Sequence, residues 1–400
     1  MEKFPHGYNT VLNRRFTSPA FRFVLMMGLV NLFADITYEG GAAANGPFLG
    51  TLGASAAVIS IVAGVGEFLG YALRFVSGYF SDKTGKHWLL TFIGYVVNLL
   101  AVPAMALVGH WPAAAALILL ERTGRAIRKP TVESMLSYTT HELGRGWVYA
   151  LNTALDEIGA TLGPLVVALV LFLKGGYRIA YGSLLASALL ALIALTTARI
   201  IFPLPSNLEK GRTATVQGFT KTYWFYMLAG SVFAAGLMSY ELISFHLAST
   251  QTVSTIWVPI LLAFSTGFGV IANLILGRWY DRKGLPVLLT AVFLSSLFAP
   301  AIFLGGRFGL ILAMAFWGIG YATQDTLLKA VVAGVLPEGR RDFAFGLFYS
   351  GYGVGWLIGS ITAGLLYQHS HTALILFPVL AQLLSIPIFV AAEHSTKRAP

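Results

Sequence analysis

Residues 78–86 read GYFSDKTGK, and residues 277–284 read GRWYDRKG. Both stretches have Gly, then Asp four residues later, then a basic residue and a second Gly, and they begin 199 residues apart. In a helix the Gly and the Asp at i+4 share a face, so a neighbouring helix can come close to the carboxylate. The last Gly suits a tight turn. Two copies of so constrained a segment indicate two equivalent halves.

Two further repeats support this duplication. TYE at 37–39 returns as SYE at 239–241, 202 residues later. Arg145, Gly159 and Gly163 correspond to Arg341, Gly355 and Gly359, each 196 residues on. Residues 203–221 are polar and begin with prolines. We therefore predict an N-terminal six-helix bundle at 1–202, a cytoplasmic linker at 203–221 and a C-terminal six-helix bundle at 222–400.

The composition places these helices in a bilayer. Apolar side chains make up 56% of the 400 residues, charged ones only 11%, and the mean hydropathy is +0.72. Soluble domains carry about 25% charged residues. In lipid, helices are the default spanning structure because they satisfy their own backbone hydrogen bonds. We expect an all-α protein with twelve transmembrane helices, at 20–45, 52–79, 88–109, 112–138, 146–173, 178–202, 222–249, 253–278, 286–305, 308–336, 342–368 and 371–392.

The net charge of +10 reflects basic residues that flank the spans rather than line a nucleic-acid groove. Sixteen Lys and Arg lie in one set of alternate connections and ends, against Lys174, Arg178 and Arg307 in the other set. The positive-inside rule then predicts both termini in the cytoplasm and insertion in the cytoplasmic membrane. The chain has no Cys, which excludes disulfides and thiolate chemistry.

The repeated segment resembles the loop signature of the major facilitator superfamily, Gly-x-x-x-Asp-Arg/Lys-x-Gly-Arg/Lys-Arg/Lys. The first copy departs from it at His87, and the second departs at Leu285 and Pro286. The resemblance implies two pseudo-symmetric six-helix bundles and secondary transport by alternating access. It also implies a gating role, away from substrate, for the motif residues Gly78, Asp82, Gly85, Lys86, Gly277, Asp281, Arg282 and Gly284.

The fifth span carries a second, partial resemblance. Gly159, Gly163 and Pro164 are similar to the antiporter signature Gly-x-x-x-Gly-Pro-x-x-Gly-Gly of proton-coupled exporters, but Val167 and Ala168 replace its last two glycines. Export by antiport is one interpretation. The alternative is a seam of small residues that lets two helices pack closely.

Ionisable residues inside the spans are candidates for function, because each costs about 2.5 to 3.5 kcal/mol at a helix centre. Most fall in the first half, which suggests that ion coupling resides there and that the second half shapes the cavity. The acids are Asp35, Glu39, Glu67, Glu121, Glu133, Asp156, Glu157, Glu241 and Asp325, and the bases are Arg74, Arg122, Arg125, Arg128, Lys129 and Lys329.

Asp35 and Glu39 are separated by one helical turn and precede Gly40 and Gly41, which could loosen the helix. Two carboxylates this close in a low-dielectric medium suit a group that exchanges a proton near neutral pH. Glu67, Asp156 and Glu157 reach a similar depth in their spans. The alternative is that these acids only neutralise the bases of the fourth span.

The fourth span repeats a base every third residue, at Arg122, Arg125 and Arg128. The superfamily often has an Arg here in an Arg-x-x-Gln-Gly type motif, although this span has no Gln. A proton-coupling Arg, an anion-binding site and a voltage sensor are three interpretations of the pattern. On their own helices, Lys129 with Glu133 and Asp325 with Lys329 have the spacing of ion pairs.

Other polar or aromatic residues are candidate cavity contacts: Tyr38, Tyr240, His246, Gln251, Trp257, Gln324 and Trp356. No nucleophile elbow, phosphate loop, dinucleotide fingerprint or metal motif is present, so we expect no enzyme, no metal and no cofactor beyond a proton gradient. We expect a monomer that exports a small organic solute in exchange for protons. The alternatives are an organic-anion importer or facilitator using the fourth-span bases and, more remotely, a membrane enzyme or voltage-responsive channel.

Overall fold

A computed structural model describes residues 18–139, 143, 145–205, 219–333, 335 and 341–397. Within these ranges some side chains, including those of Asp82, Asp281, Arg145 and Arg341, are not described. The regular structure of the described residues is helical, without a β-strand.

The helices follow the predicted windows, each of which coincides with one helix or with two or more consecutive helical segments. The first half contains α1 (Pro19–Thr51), α2 (Ala56–Thr84), α3 (His87–Ala104), α4 (Trp111–Ser137), α5 (Arg145–Phe172), α6 (Gly176–Ser183) and α7 (Leu185–Ile201). The second half contains α8 (Lys221–Ala235), α9 (Tyr240–Ser249), α10 (Trp257–Lys283), α11 (Leu285–Ser296), α12 (Phe298–Leu304), α13 (Gly306–Ala322), α14 (Lys329–Ala333), α15 (Arg341–His369) and α16 (His371–Lys397).

Nine helical stretches in the described part of the chain are long and apolar enough to cross a membrane. The windows at 112–138, 308–336 and 342–368 are also helical, but they are not among these nine. The first of them, α4, carries the charged stretch around Arg122, and the second is interrupted by a π-helical segment at Thr323–Leu328. The count of twelve crossings stays a prediction.

Helix ends follow local sequence signals. Ser18, Ser55 and Thr220 precede α1, α2 and α8, and each side-chain oxygen accepts a hydrogen bond from the backbone N–H three residues on. Gly85 and Gly284 end α2 and α10 with φ of 64° and 65°, a conformation that glycine adopts without a side-chain clash. The turn expected after each loop motif is therefore present.

The described chain begins and ends at the same end of the molecule, called here the near end. Phe23 at the start of α1 packs on Trp88 and Phe202, while Tyr226 of α8 donates a hydrogen bond to Glu393 of α16. Buried apolar residues form four clusters. Two consist of first-half residues, and two consist of second-half residues together with Tyr71 or with Ala43 and Ala56 of the first half.

The two halves meet along two helix pairs, α2 with α15 and α5 with α10, and at the far end where α1 meets α9. At the far end, Gly46 lies against the Glu241 carbonyl and Ser244, and Gly50 lies against Phe245. A side chain at either glycine would clash with α9. Close contact here closes the far end between the halves.

Several predicted spans are broken, which the hydropathy pattern did not indicate. The window at 222–249 divides into α8 and α9 around Gly236–Ser239, a segment in which backbone groups lose helical partners. Side chains replace these partners: Gln382 donates to the Gly236 carbonyl at 2.9 Å, and Trp317 donates to the Met238 carbonyl at 2.8 Å. The break is thus buried in protein, where such backbone is tolerated.

Gly40 and Gly41 do not loosen α1, which is continuous from Pro19 to Thr51. They lie instead against neighbouring helices, Gly40 against Leu184 and the Gly163 carbonyl, and Gly41 against Val102. The expectation of a loosened helix was wrong because tight packing, rather than backbone freedom, uses these glycines.

Candidate functional site

Arg122 of α4 is the centre of a buried ion-pair cluster that draws on both halves. Its Nη1 lies 3.0 Å from Glu67 Oε1 of α2, its Nε 3.3 Å from Glu121 Oε2, and its Nη2 3.4 Å from Glu241 Oε1 of α9. All these side chains are buried except that of Glu67, which is partly exposed. One guanidinium therefore serves three carboxylates, and one of these belongs to the second half.

Glu121 is held by a second donor. Asn98 of α3 donates from Nδ2 to Glu121 Oε1 at 2.7 Å, and both residues are buried. This carboxylate thus has a guanidinium on one oxygen and an amide on the other. Hydrogen bonds of this kind fix the orientation of the carboxyl group.

Arg128, two turns further along α4, forms a separate network inside the first half. Its Nη2 lies 3.8 Å from Asp35 Oδ1, its Nη1 donates to Asn31 at 3.4 Å, and its guanidinium lies 4.4 Å from the Tyr95 ring centroid. Tyr95 also donates to Asn31. Asp35 is therefore paired with Arg128, inside its own half.

Arg125 lies between these two networks and has no carboxylate oxygen within 4.0 Å among the described residues. Its guanidinium lies 4.4 Å from the Tyr38 ring centroid, and its Nε is buried without a hydrogen-bond partner. Glu39, Glu67 and Glu121 are within electrostatic range of it. Among the described residues, Arg125 thus differs from Arg122 and Arg128 in having acids nearby but none in ion-pair contact.

Asp156 and Glu157 of α5 lie near the Arg128 network, and neither has an ion pair within the described part of the chain. Asn152 connects Asp156 to that network, since it donates to Asp156 at 3.4 Å and accepts from Asn31 at 2.9 Å. Asp156 Oδ1 is buried and has no hydrogen-bond partner. Glu157 is within electrostatic range of Asp325 across the interface between the halves.

Aromatic side chains of the second half face the acids around Arg122. Tyr240 packs on Trp317, Trp317 on Tyr321, and Tyr321 on Trp356. Tyr321 is within electrostatic range of Glu67, Glu241 and Glu39. The order of contacts describes a continuous aromatic wall opposite the Arg122 cluster.

Gln324 links the halves closer to the near end. It lies in the π-helical segment, donates to Tyr71 of α2 at 2.5 Å and accepts from Tyr352 of α15 at 2.8 Å. π-Helical turns are rare and often mark functional positions. Gln324 therefore belongs to an uncharged contact between the halves, and its role as a cavity contact stays a prediction.

Beside the Arg122 cluster is a crevice lined by Tyr38, Gly41, Asn45, Glu121 and Tyr181. It has room for about one water molecule. Tyr181 donates to Asn45 across it at 2.8 Å. Because every residue that lines it belongs to the first half, this crevice lies inside that half and not between the two halves.

The loop motifs lie at the near end, away from the arginine networks. Lys86 and Arg282 are exposed there. A Cβ built on Gly78 would lie 3.6 Å from Pro130 of α4. A Cβ built on Gly277 would lie 3.2 Å from Thr326. The side chains of Asp82 and Asp281 lie outside the description, so the gating role assigned to them stays a prediction.

The glycines of the antiporter-like motif bring α5 against α1. A Cβ on Gly163 would lie 2.5 Å from the Ile36 carbonyl oxygen, and one on Gly159 would clash with the Leu32 carbonyl. Their repeat partners Gly355 and Gly359 make the same close approach, in α15 against α8. Pro164 continues α5 without ending it. This geometry favours the packing interpretation of the motif.

The remaining candidates are peripheral. Trp257 is 55% exposed, Gln251 is exposed in a turn with φ of 50°, and His246 is bonded to Tyr367 towards the far end. Asp325 and Lys329 pair at 3.5 Å on the surface, whereas Lys129 and Glu133 do not come within 4.0 Å. The expectation of a Lys129–Glu133 pair was therefore wrong.

Sequence reasoning missed the uncharged members of these networks. Asn98 binds Glu121, Asn31 and Asn152 connect Asp156 to Arg128, and Tyr95 donates to Asn31. Asparagine is also costly to bury in lipid without a partner, so the asparagines inside the predicted spans were an available signal. Counting charged residues alone passed over them.

Comparison with known proteins yields one family. The family model of the Major Facilitator Superfamily matches residues 21–306 and 222–400. An uncharacterized protein of Mycobacterium tuberculosis is 32% identical over 382 residues, which cover 93% of each chain. An uncharacterized MFS-type transporter of Methanocaldococcus jannaschii is 26% identical over 367 residues, covering 87% of this chain and 89% of that one.

Solved structures share the fold at low sequence identity. The nucleoside transporter NupG, as an alanine mutant, superposes with a TM-score of 0.74 at 15% identity, over 92% of this chain and 99% of that one. A mutant of the peptide transporter POT gives a TM-score of 0.75 at 14% identity, over 94% and 95%. At such identities the likeness concerns the fold alone.

Proposed function

The chain belongs to the major facilitator superfamily, and from that premise we propose that it exports a small organic solute across the cytoplasmic membrane in exchange for protons. It is a secondary transporter and not an enzyme. In this proposal twelve helices form two pseudo-symmetric bundles that rock about a central site, both termini face the cytoplasm, and a monomer draws its energy from the proton gradient.

The observation that carries the proposal is the excess of carboxylates around the arginines between the halves. Glu67, Glu121 and Glu241 share Arg122, while Glu39 has no cation within 4.0 Å among the described residues. Buried carboxylates without matching cations take up protons in preference to remaining ionised. Such sites can load a proton on one side of the membrane and release it on the other.

The coupling is tested with purified protein in liposomes that contain a pH-sensitive dye. We expect an outward solute gradient to move protons the other way, and an imposed pH gradient to drive solute uphill. Glu67→Gln serves as the variant that should uncouple the two flows, and Lys329→Gln, on the surface, as the matched control. Solute flux that ignores the pH gradient in the parent protein would contradict proton-coupled export.

A second candidate function is import or facilitated passage of an organic anion, favoured by one observation: Arg125 has no ion pair among the described residues, and its buried Nε has no hydrogen-bond partner. A carboxylate or phosphate group would supply its missing partner. Melting temperatures measured with panels of anionic, cationic and neutral compounds separate the two functions. Stabilisation by anions that disappears in Arg125→Ala, while stabilisation by cations persists, would favour the anion transporter.

A further inference from the structure

A stack of three side chains lies between α2 and α15, apart from the arginine networks of α4. Tyr71 of α2 stacks on Tyr349 of α15, with ring centroids 5.5 Å apart and ring planes at 12°. The guanidinium of Arg74, also in α2, lies 4.9 Å from the Tyr71 ring centroid, a position that aromatic rings favour for cations. The stack therefore groups a cation of the first half with a phenol of the second half.

The central ring of this stack is held in place by two further contacts. The Tyr71 hydroxyl accepts a hydrogen bond from Gln324 at 2.5 Å, and Gln324 accepts one from Tyr352 at 2.8 Å. The Tyr352 ring also packs edge-on against Tyr71, with centroids 5.6 Å apart. Arg74 and Tyr349 thus pack on a ring whose position is fixed by residues of the second half.

Arg74 and Tyr349 each hold a hydrogen-bond donor without an acceptor. Arg74 Nε and the Tyr349 hydroxyl are buried, and neither has a hydrogen-bond partner in the described part of the chain. A buried donor without an acceptor is costly, so a pair of them in one cluster indicates an acceptor that comes from outside the chain. Both residues are partly exposed as a whole, so their position is at the edge of the buried contact.

The charges at this position favour an anion as that acceptor. Arg74 and Lys129 of α4 lie within electrostatic range of each other, and neither has an ion pair among the described residues. Asp156 and Glu133 are within electrostatic range of Lys129, but at more than 4.0 Å. Unpaired cations inside membrane spans are costly, and a bound anion offsets that cost.

The acids around the stack are already paired or exposed. Three of them lie within electrostatic range of its two tyrosines: Glu67, Asp325 and Glu133. Glu67 is paired with Arg122 at 3.0 Å, Asp325 is paired with Lys329 at 3.5 Å, and Glu133 is exposed. The guanidinium of Arg74 is therefore left for a ligand.

We propose that Arg74 and Tyr349 form a binding site for an oxyanion, a carboxylate or phosphate group, that the transported solute carries. The guanidinium of Arg74 can bind two oxygens of such a group at once, and the Tyr349 hydroxyl donates to it from the other half. The bound group thus contacts both halves. The inference rests on the proposed transport function and adds to it the charge of the solute.

The site lies on the near-end side of the Arg122 cluster, because Arg74 follows Glu67 by about two turns of α2 towards the loop motif. Lys129 lies one turn from Arg125 on the same face of α4 and is within electrostatic range of both arginines. An anionic group bound at Arg74 therefore has a cationic path to Arg125 between the halves.

Inorganic phosphate and acetate are the probes for this site, and the sample is the purified full-length protein in detergent. Binding of each radiolabelled anion is measured by equilibrium dialysis at constant ionic strength, because salt screens such interactions. A melting experiment is unsuitable, since phosphate stabilises folded proteins without occupying a site. We expect saturable binding in the millimolar range, and tighter binding of one probe identifies the oxyanion as a phosphate or a carboxylate.

Two variants remove one donor each. Arg74→Gln should weaken anion binding about tenfold, and Tyr349→Phe, which keeps the stacked ring, about fivefold, as expected for the loss of hydrogen bonds to a charged group. Tyr349→Phe keeps the test informative if Arg74→Gln folds poorly. The matched controls are Lys329→Gln and Tyr79→Phe, whose side chains or residues are 51% and 57% exposed, and both should bind the anions as the parent does.

Three results would overturn the site. The first is a parent protein that binds neither anion, which would leave water as the acceptor of the two donors. The second is binding of parent strength in both Arg74→Gln and Tyr349→Phe. The third is binding that is lost in Arg125→Ala but unchanged in Arg74→Gln, which would assign the anion to the central arginine.

The dialysis measurement is independent of the proton gradient. Anion binding that depends on Arg74 and Tyr349 supports the site even if solute flux in liposomes ignores a pH gradient. Conversely, proton-coupled flux of a solute without an acidic group, by a protein that binds neither anion, overturns the site and leaves the proposed function intact.

Discussion

At the scale of single residues, three arginines spaced three apart on α4 have different surroundings. Arg122 is oversupplied with carboxylates, Arg125 has none within 4.0 Å among the described residues, and Arg128 is paired with Asp35 inside the first half. Their common spacing gives them a common face of the helix. Their different depths bring them against different neighbours, and this separates their roles.

The Arg128–Asp35 pair yields a prediction about stability. Arg128→Gln should lower the free energy of unfolding by about 3 to 5 kcal/mol, because it leaves the buried Asp35 carboxylate without its cation. Adding Asp35→Asn should restore much of the loss. Melting temperatures of the two single variants and the double variant in detergent measure this coupling.

Lys329→Gln is the control for this experiment. Its partner is Asp325, but the side chains are 51% and 43% exposed, so the loss should be under about 1 kcal/mol. If Arg128→Gln melted like this surface variant, or if Asp35→Asn failed to rescue it, Arg128 would have no structural pairing role.

At the scale of helices, the glycine seams decide how closely elements approach. Gly159 and Gly163 set α5 against α1, and Gly355 and Gly359 set α15 against α8 in the second half. The same glycine spacing thus makes the equivalent contact twice. The antiporter-like motif has a packing function here whatever the direction of transport.

This packing predicts that two glycine-to-alanine substitutions change the stability of the protein differently. Gly163→Ala should destabilise the protein by about 1 to 3 kcal/mol, because the added methyl group must push α1 away. Gly70→Ala, in α2, has nothing within 4 Å of the new Cβ and should be neutral or stabilise by up to about 1 kcal/mol. Thermal unfolding of both variants measures the difference, and equal melting temperatures would contradict the seam.

At the scale of the whole molecule, the halves touch along the length of α2 and α15. Ser60 donates to the Ser360 carbonyl at 2.5 Å towards the far end, and a Cβ on Gly346 would lie 3.8 Å from Phe75 Cβ towards the near end. Transport by alternating access requires these helices to part at one end at a time.

A double substitution tests this motion. Phe75→Cys with Gly346→Cys has a Cβ separation suited to a disulfide, 3.8 Å, and an otherwise Cys-free chain allows no other bridge. Under oxidant we expect the bridge to form and solute flux to stop, and a reductant should restore flux. Each single substitution is the control. Undiminished flux through the cross-linked protein would exclude an opening at the near end.

Much of the fold could be predicted because lipid imposes it. Long apolar windows predicted the helices, and the Gly85 and Gly284 turns followed from the loop motif. The break at Gly236–Ser239 could not be predicted, because the groups that satisfy its backbone, Gln382 and Trp317, are 146 and 79 residues away in sequence from the carbonyls they bind. Hydropathy averages over such a segment and does not register which backbone groups are paired.

For the site, the sequence by itself determined the kinds of group available: acids and arginines that a bilayer tolerates only when they are satisfied by partners or serve a function. Only the tertiary structure decided which of them meet. In the structure Asp35 pairs with Arg128 and does not act as a simple pair of acids with Glu39. Glu241 of the second half pairs with Arg122 of the first. The physical reason is that spacing along one helix fixes a face, whereas the partner on that face comes from a different helix, whose position depends on the packing of the whole chain.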